Sequence, residues 1–194
     1  MRMKIVFASN NKHKIEEIQA MLPKHIEIVS LQAIGCNDDI PETADTIEGN
    51  AILKANYVSA NYNCDCFADD TGLEVEALNG KPGVHSARYA GEERDAEKNT
   101  DKLLLALSQS DNRRAQFKTV IAVNLHGEQH LFTGIVKGEI TMEKRGNGGF
   151  GYDPIFKANG QTKTFAELTL KEKAEIGHRG EAVRKLVEFL SKVQ

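Results

Sequence analysis

Acidic side chains stand in two places where local propensity does not ask for them. Glu42 lies in the irregular stretch Asn37-Asp38-Asp39-Ile40-Pro41-Glu42-Thr43, and Asp69-Asp70 follow directly on the apolar run Cys66-Phe67-Ala68. Strand propensity favours no pair of adjacent charges after such a run. A hard Mg2+ ion needs only one or two carboxylates when substrate phosphates and water complete its shell, so this sparse set suffices for it. Acidic residues on surface loops also serve solubility, and each position alone is open to that reading.

Three further groups could carry chemistry. Ser9-Asn10-Asn11-Lys12-His13-Lys14 stands where the carboxyl end of a strand meets the start of a helix. N–H groups at such a helix start, with a hydroxyl, amides and lysines around them, suit a phosphate. A capped loop with solvated lysines is the plainer alternative, and the glycines of a Walker loop are absent. Gly146-Asn147-Gly148-Gly149-Phe150-Gly151-Tyr152-Asp153-Pro154 lets the backbone approach a ligand closely. An exposed Phe150 ring there can stack on a base, worth ~1 to 3 kcal/mol; a loop tip with Phe150 tucked into the core stays open. Last, Lys173 with His178-Arg179-Gly180 brings hydrogen-bond donors to the joint between two helical patterns. Helix-end capping explains a lone histidine there as well.

These residues need elements to hold them. Met3 to Ala8 reads as a strand, and from Lys12 the apolar Ile15, Ile18 and Leu22 recur with helical spacing until Pro23 ends them. Ile26 to Ser30 reads as a second strand. Asp45 with Glu48 predicts a capping-box start for a helix through about Asn61, with Ile47, Ala51, Ala55 and Val58 on one face. Cys66 to Ala68 predicts a short strand ended by a turn at Asp69-Asp70-Thr71-Gly72, after which Leu73, Val75 and Ala77 alternate as a further strand. Asn79 to Gly91 reads as a long loop, and Glu92 to Leu107 as a helix whose acidic start complements its dipole. Phe117 to Leu125 and Gln129 to Ile140 alternate around a turn at Gly127-Glu128, a long hairpin. After Asp153-Pro154 a short strand precedes a helix over Leu170 to Ile176, capped by Thr169 with Glu172, and another over Gly180 to Val193. This order predicts one α/β domain over residues 1–194, elongated, with a mixed sheet.

Composition narrows the class. Hydrophobic residues make up 40 % and charged residues 27 % of the chain, ordinary for a soluble globular protein. No apolar run approaches the ~18 residues of a membrane span, and the start at Met1 lacks a signal-type apolar stretch, so a cytoplasmic location is expected. A net charge of -3 argues against a protein built to coat nucleic acid. Cys36, Cys64 and Cys66 are odd in number and lack the spaced partners of a zinc site, which predicts reduced structural thiols.

In their order these segments resemble the inosine triphosphate pyrophosphatase family, the house-cleaning dITP/XTP diphosphatases. The likeness runs through Ser-Asn-Asn-Lys-His-Lys at 9–14, Glu-Thr at 42–43, Asn-Ala-Ile-Leu-Lys-Ala at 50–55 and Ala-Asp-Asp-Thr-Gly-Leu at 68–73. It continues through Gly-Lys-Pro-Gly-Val-His-Ser-Ala-Arg-Tyr-Ala-Gly at 80–91, Gly-Gly-Phe-Gly-Tyr-Asp-Pro at 148–154 and His-Arg-Gly at 178–180. The resemblance implies a two-lobed α/β fold around a long central mixed β-sheet with flanking helices, a substrate cleft between the lobes, and a homodimer. It implies Mg2+-dependent hydrolysis of nonstandard purine nucleoside triphosphates (ITP, dITP, XTP) to monophosphate and pyrophosphate; from the charge balance and the lack of a long apolar run, neither nucleic acid nor membrane is expected as a partner.

Residue by residue, the resemblance places Ser9, Asn10, Asn11, Lys12, His13, Lys14 and Lys54 at the phosphates. It places Glu42 and Asp70 at Mg2+, with Asp70 also the proton acceptor and Thr71 lining the same site. Phe150, Gly151, Tyr152 and Asp153 resemble the base-stacking and sugar-side loop, and Lys173, His178 and Arg179 the groups at the base edge. Two positions depart from the pattern: Gly49 stands where the family often has Glu, and Gly177 where it commonly has Ser. Donors at the base edge favour the 6-oxo group of inosine and xanthosine over the amino group of adenine. Rejection of GTP follows from the resemblance alone. A stepwise phosphatase and a catalytically silent nucleotide-binding regulator are the rival readings; the carboxylate pair speaks against the second.

Overall fold

A computed structural model describes residues 3–193; Met1 and Arg2, where the sequence reading starts, and Gln194 lie outside it. Among the described residues the strands are β1 (Met3–Phe7), β2 (Ile26–Val29), β3 (Cys66–Val75), β4 (Pro82–Gly83), β5 (Arg114–Leu125), β6 (Glu128–Ile140) and β7 (Phe156–Ala158). They form one open sheet in the order β2-β1-β3-β5-β6-β7, with β4 paired to β3. β1 runs parallel to β2 and β3, whereas β7 is antiparallel to β6, so the sheet is mixed. The helices are α1 (Lys12–Met21), α2 (Ile47–Tyr62), α3 (Ala96–Ala106), α4 (Leu170–Ile176) and α5 (His178–Leu190). None of them is long and apolar enough to cross a membrane.

The chain divides into two compact units. The first runs to Asp70 and takes in Thr119–Gly134 and the chain from Arg179 on; the second comprises Thr71–Lys118 and Ile135–His178. Each has its own core. In the first, Phe7 of β1 and Phe67 of β3 are register partners whose rings stack 4.6 Å apart, and Ile18 of α1 and Val183, Leu186 and Leu190 of α5 join the same cluster. Both phenylalanines are fully buried, and truncating either to alanine costs about 3 to 5 kcal/mol. In the second, Leu73 of β3, Leu103 of α3, Phe117 of β5 and Phe156 of β7 pack together with Phe165.

Several boundaries differ from the sequence expectation, each for a physical reason. β3 does not stop at Asp69-Asp70 but runs unbroken through both to Val75, because cations from elsewhere in the fold neutralise the charges. The N-cap of α2 is Thr46 rather than Asp45: its hydroxyl accepts from the Gly49 N–H, and with glycine at that third position the returning carboxylate of a capping box is missing. α3 begins at Ala96 rather than Glu92, since Arg94 has a φ of 54°, outside the helical region, and Asp95 caps the helix by accepting from the Lys98 N–H. The hairpin turn is His126-Gly127, with φ of 52° and 83°, the positive pair of a type I′ turn. α4 and its Thr169/Glu172 capping box stand as the spacing predicts. Cys36 and Cys66 are buried and Cys64 half-buried, all unpaired by disulfides; burial pushes the Cys66 thiol up to about 11.

Candidate active site

Each unit holds its own cluster of buried polar groups. In the first unit, β1 delivers the chain to the start of α1. Asn11 is the N-cap, its side chain accepting from the Lys14 N–H while its own N–H donates to the Ser9 hydroxyl. Asn10, Asn11, Lys12 and His13 are exposed there, whereas the Lys14 side chain turns inward, its Nζ 3.0 Å from Asp69 Oδ1. The other oxygen of Asp69 accepts from Arg179 Nε at 3.3 Å, and the Arg179 guanidinium also pairs with Glu17. Lys14 and Glu17 are neighbours three residues apart on α1, so one helix face supplies both ends of this chain of charges.

Adjacent strand residues face opposite sides of a sheet. Asp69 meets the cations of α1 and α5, and Asp70 meets Lys54 of α2, whose Nζ lies 3.4 Å from Asp70 Oδ1 and 2.6 Å from Glu42 Oε1. Lys54 sits on the buried face of α2 with Asn50, Ala51, Ala55 and Val58. The acidic loop carrying Glu42 is fastened to the same helix. The Ala44 N–H donates to Asn50 Oδ1 at 2.9 Å, and the phenols of Tyr57 and Tyr62 donate to Asp38 Oδ2 at 2.9 and 3.0 Å.

The two neighbouring aspartates are pushed in opposite directions. Burial alone disfavours the charge on Asp69, but Lys14, Arg179 and Lys54 together overcome it and hold the carboxyl down to about 2. At Asp70 burial wins over the pull of Lys54 and Lys14, helped by the like charges of Glu42 and Asp69, and the carboxyl stands above the ordinary range. Burial disfavours the charge on Lys54 too, but Asp70, Glu42 and Asp69 outweigh it and hold the ammonium above its usual value. For Lys14 desolvation dominates, and its pKa is lowered despite Asp69. Asp69 is therefore held as the anion, whereas burial disfavours the charge on its neighbour Asp70.

Among the described residues no three His, Cys, Asp or Glu side chains gather as a metal site. Glu42 and Asp70 nonetheless fit a hard divalent ion that draws its remaining ligands from phosphate and water, because both already turn an oxygen toward one shared cation, the Lys54 ammonium.

In the second unit the glycine-rich loop closes on Asp153, whose Oδ2 accepts from the Phe150 N–H at 2.8 Å and from Lys173 Nζ at 2.6 Å. Gly149 has a φ of +68°, and a Cβ there would run into the Asp153 carboxylate, so glycine is required. The Lys173 ammonium lies 4.8 Å from the centre of the half-buried Phe150 ring, a cation–π contact. Tyr152 is buried beside Gly151, its hydroxyl donating to the Ser86 carbonyl. His178 is also buried, its ring stacked 4.7 Å from that of Phe117. At the end of α4 the Gly177 N–H donates to the Lys173 carbonyl at 2.8 Å, and a Cβ at position 177 would stand 2.6 Å from that same oxygen. Thr71 is half-buried at the start of this unit's share of β3.

Of the residues singled out by sequence, the first unit brings together Lys14, Glu42, Lys54 and Asp70, and the second Phe150, Asp153 and Lys173. Arg179 belongs to the first unit, where its guanidinium meets Glu17 and Asp69. His178 and Arg179 open α5 instead of preceding it. Glu17 escaped the sequence reading; its spacing from Lys14 was the one signal for it.

A sequence model described as the Ham1 family matches residues 5–189. A protein of Flavobacterium johnsoniae named dITP/XTP pyrophosphatase is 66 % identical over 189 residues, covering 97 % of this chain and 98 % of its own. A protein of the same name from Bacillus subtilis is 43 % identical, with 95 % and 96 % covered. The solved structure of the Staphylococcus aureus Ham1 protein superimposes with a TM-score of 0.89 at 43 % identity, over 98 % of this chain and all of that one.

Proposed function

The chain belongs to the Ham1 family, and on that premise we propose that it is a dITP/XTP pyrophosphatase, cleaving nonstandard purine nucleoside triphosphates between the α and β phosphorus to yield the monophosphate and pyrophosphate. The observation that carries this reading is the buried Lys54 ammonium shared by Glu42 and Asp70, a charge arrangement suited to phosphate oxygens and a hard cation.

Glu42 and Asp70 would hold Mg2+, which when bound offsets the charge that develops on the phosphate oxygens. Asp70, raised by burial, accepts the proton of the water that attacks the α-phosphorus, and pyrophosphate leaves. Asp69, ionised throughout the physiological range, fixes Lys14 instead. Lys14 and Lys54 stabilise the same developing charge, and they do so best in a site where water is sparse. The exposed amides and side chains from Ser9 to His13 take up the outer phosphates at the start of α1.

Base recognition falls to Phe150, by stacking, and to Lys173 and His178, by donating to the 6-oxo group of hypoxanthine or xanthine, with Gly151, Tyr152 and Asp153 shaping the loop. A guanidinium has five N–H donors, so Arg179 can serve the base edge, as the family pattern suggests, while holding Asp69. Thr71 lines the site next to Asp70. The enzyme works in the cytoplasm as a homodimer.

The test is a panel of ITP, dITP, XTP, ATP and GTP in Mg2+, scored separately for pyrophosphate and orthophosphate. Pyrophosphate from the first three, with ATP and GTP poor, is expected. Orthophosphate as the first product, or tight binding of ITP without turnover, overturns the reading.

A further inference from the structure

We propose that Asn50 is a positioning residue for the metal-binding carboxylate Glu42; the inference rests on the reading of Glu42 and Asp70 as Mg2+ ligands. Asn50 is 1 % exposed. It stands one helical turn before Lys54 on the same buried face of α2. Its Oδ1 accepts the Ala44 N–H at 2.9 Å, which pins the acidic loop two residues after Glu42. From the next turn Lys54 reaches back to Glu42 itself at 2.6 Å. One helix face thus sets both the backbone that carries Glu42 and the direction of its carboxylate.

A second observation points the same way. The loop lies so close to the start of α2 that a Cβ on Gly49 would stand 2.6 Å from the Ala44 Cβ and 2.9 Å from the Thr46 hydroxyl. Glycine at 49 is what lets Ala44 come within reach of Asn50. Farther back, Asp38 is held to the same helix by Tyr57 and Tyr62. A loop fastened on both sides of Glu42 presents its carboxylate ready-placed, so the ion need not order it on binding. Loss of a partner that orients a metal ligand weakens metal affinity by about 10- to 100-fold.

The experiment titrates Mn2+, followed by electron paramagnetic resonance, into the full chain saturated with a nonhydrolysable α,β-methylene analogue of ITP, and measures hydrogen exchange at the Ala44 amide in parallel. Asn50→Leu removes the acceptor, Asn50→Asp keeps one, and Gly49→Ala drives the loop off the helix by sterics. Val58→Ala, a cavity on the same helix face, controls for lost stability. Weakening of Mn2+ binding by about 10-fold or more in Asn50→Leu and Gly49→Ala, with faster exchange at Ala44, is expected. Asn50→Asp and Val58→Ala should stay near wild type in both measurements. If Asn50→Leu cannot be folded, Gly49→Ala and Asn50→Asp carry the test. Unchanged Mn2+ affinity in Gly49→Ala and Asn50→Leu, alongside weakened binding in Glu42→Gln, overturns the positioning role and leaves the metal reading standing. Unchanged affinity in Glu42→Gln as well overturns the metal reading and this inference with it.

Discussion

Lys54 in the first unit and Lys173 in the second are both buried lysines on helices, and both are paired to an aspartate, yet they are held in different surroundings. Lys54 is shared by two carboxylates, Glu42 and Asp70. Lys173 has the carboxylate of Asp153 on one side and the faces of Phe150 and Phe165 at 4.8 and 5.7 Å on another. A site that concentrates charge exchanges well with phosphate oxygens and a hard cation, which are themselves densely charged. An ammonium against aromatic rings is weakly hydrated and keeps its N–H directions, which suits a flat, neutral, hydrogen-bonding base. The contrast gives the two lysines different chemistry, and substitutions around each should fail in different ways.

The largest effect is expected from Asp70→Asn. It keeps the size of the side chain while removing the charge and the proton acceptor, and turnover of ITP should fall by at least ~100-fold with the preference among bases unaltered. Rates near wild type at saturating Mg2+ would take Asp70 out of the reaction. Lys173→Met should do the reverse, sparing the rate with whichever base is bound but lowering the ratio of kcat/KM for ITP over ATP by about 10- to 100-fold, the worth of a hydrogen bond from a charged donor. An equal loss for both nucleotides would remove the difference drawn between Lys54 and Lys173. Phe150→Ala comes next, weakening every purine triphosphate alike by ~1 to 3 kcal/mol in direct binding. Because the ring is half-buried, Tm should change little; a large drop in Tm with unchanged affinity would make Phe150 a core residue.

The smallest signal lies inside the first unit, in the carboxyl resonances of Asp69 and Asp70 followed by NMR through an acid titration. Asp69 should titrate near 2 and Asp70 above the ordinary 3.8. The folded pKa of Asp69 is depressed, so its contribution to stability is full above 3.8 and lost as pH falls toward about 2. Asp70 has the opposite sign: its ionisation opposes folding at neutral pH, and protonating it on the way down through its raised pKa relieves that cost. Equal titration of the two would remove the distinction between fixed anion and proton acceptor.

What could be read from sequence follows from how local each cause is. β1, α1 and the capping box of α4 rest on periodicity and neighbours within a turn, and they stand where expected. β3 was expected to break at Asp69-Asp70 because the charges that quiet them come from Lys14, Lys54 and Arg179, the last 110 positions away along the chain. The start of α3 was misplaced because Glu92 and Glu93 look like an acidic first turn, whereas the deciding fact is the φ of Arg94. At the site, residue types marked Glu42, Asp70, Lys54 and Phe150 as candidates. That Asp69 and Asp70 differ, and that Glu17 stands behind Arg179, depends on burial and partners that no local pattern encodes.

Gly177 closes the end of α4 to substitution. With only a hydrogen on its Cα, the chain end of α4 has settled so near the Lys173 carbonyl that a Cβ would now be 2.6 Å from it. Any side chain at 177 would collide with the backbone of a residue on that same helix. Gly177→Ser should therefore lower Tm, because the backbone at the end of α4 must shift to admit the Cβ. The position stays closed to every residue with a side chain for as long as that turn keeps its present path.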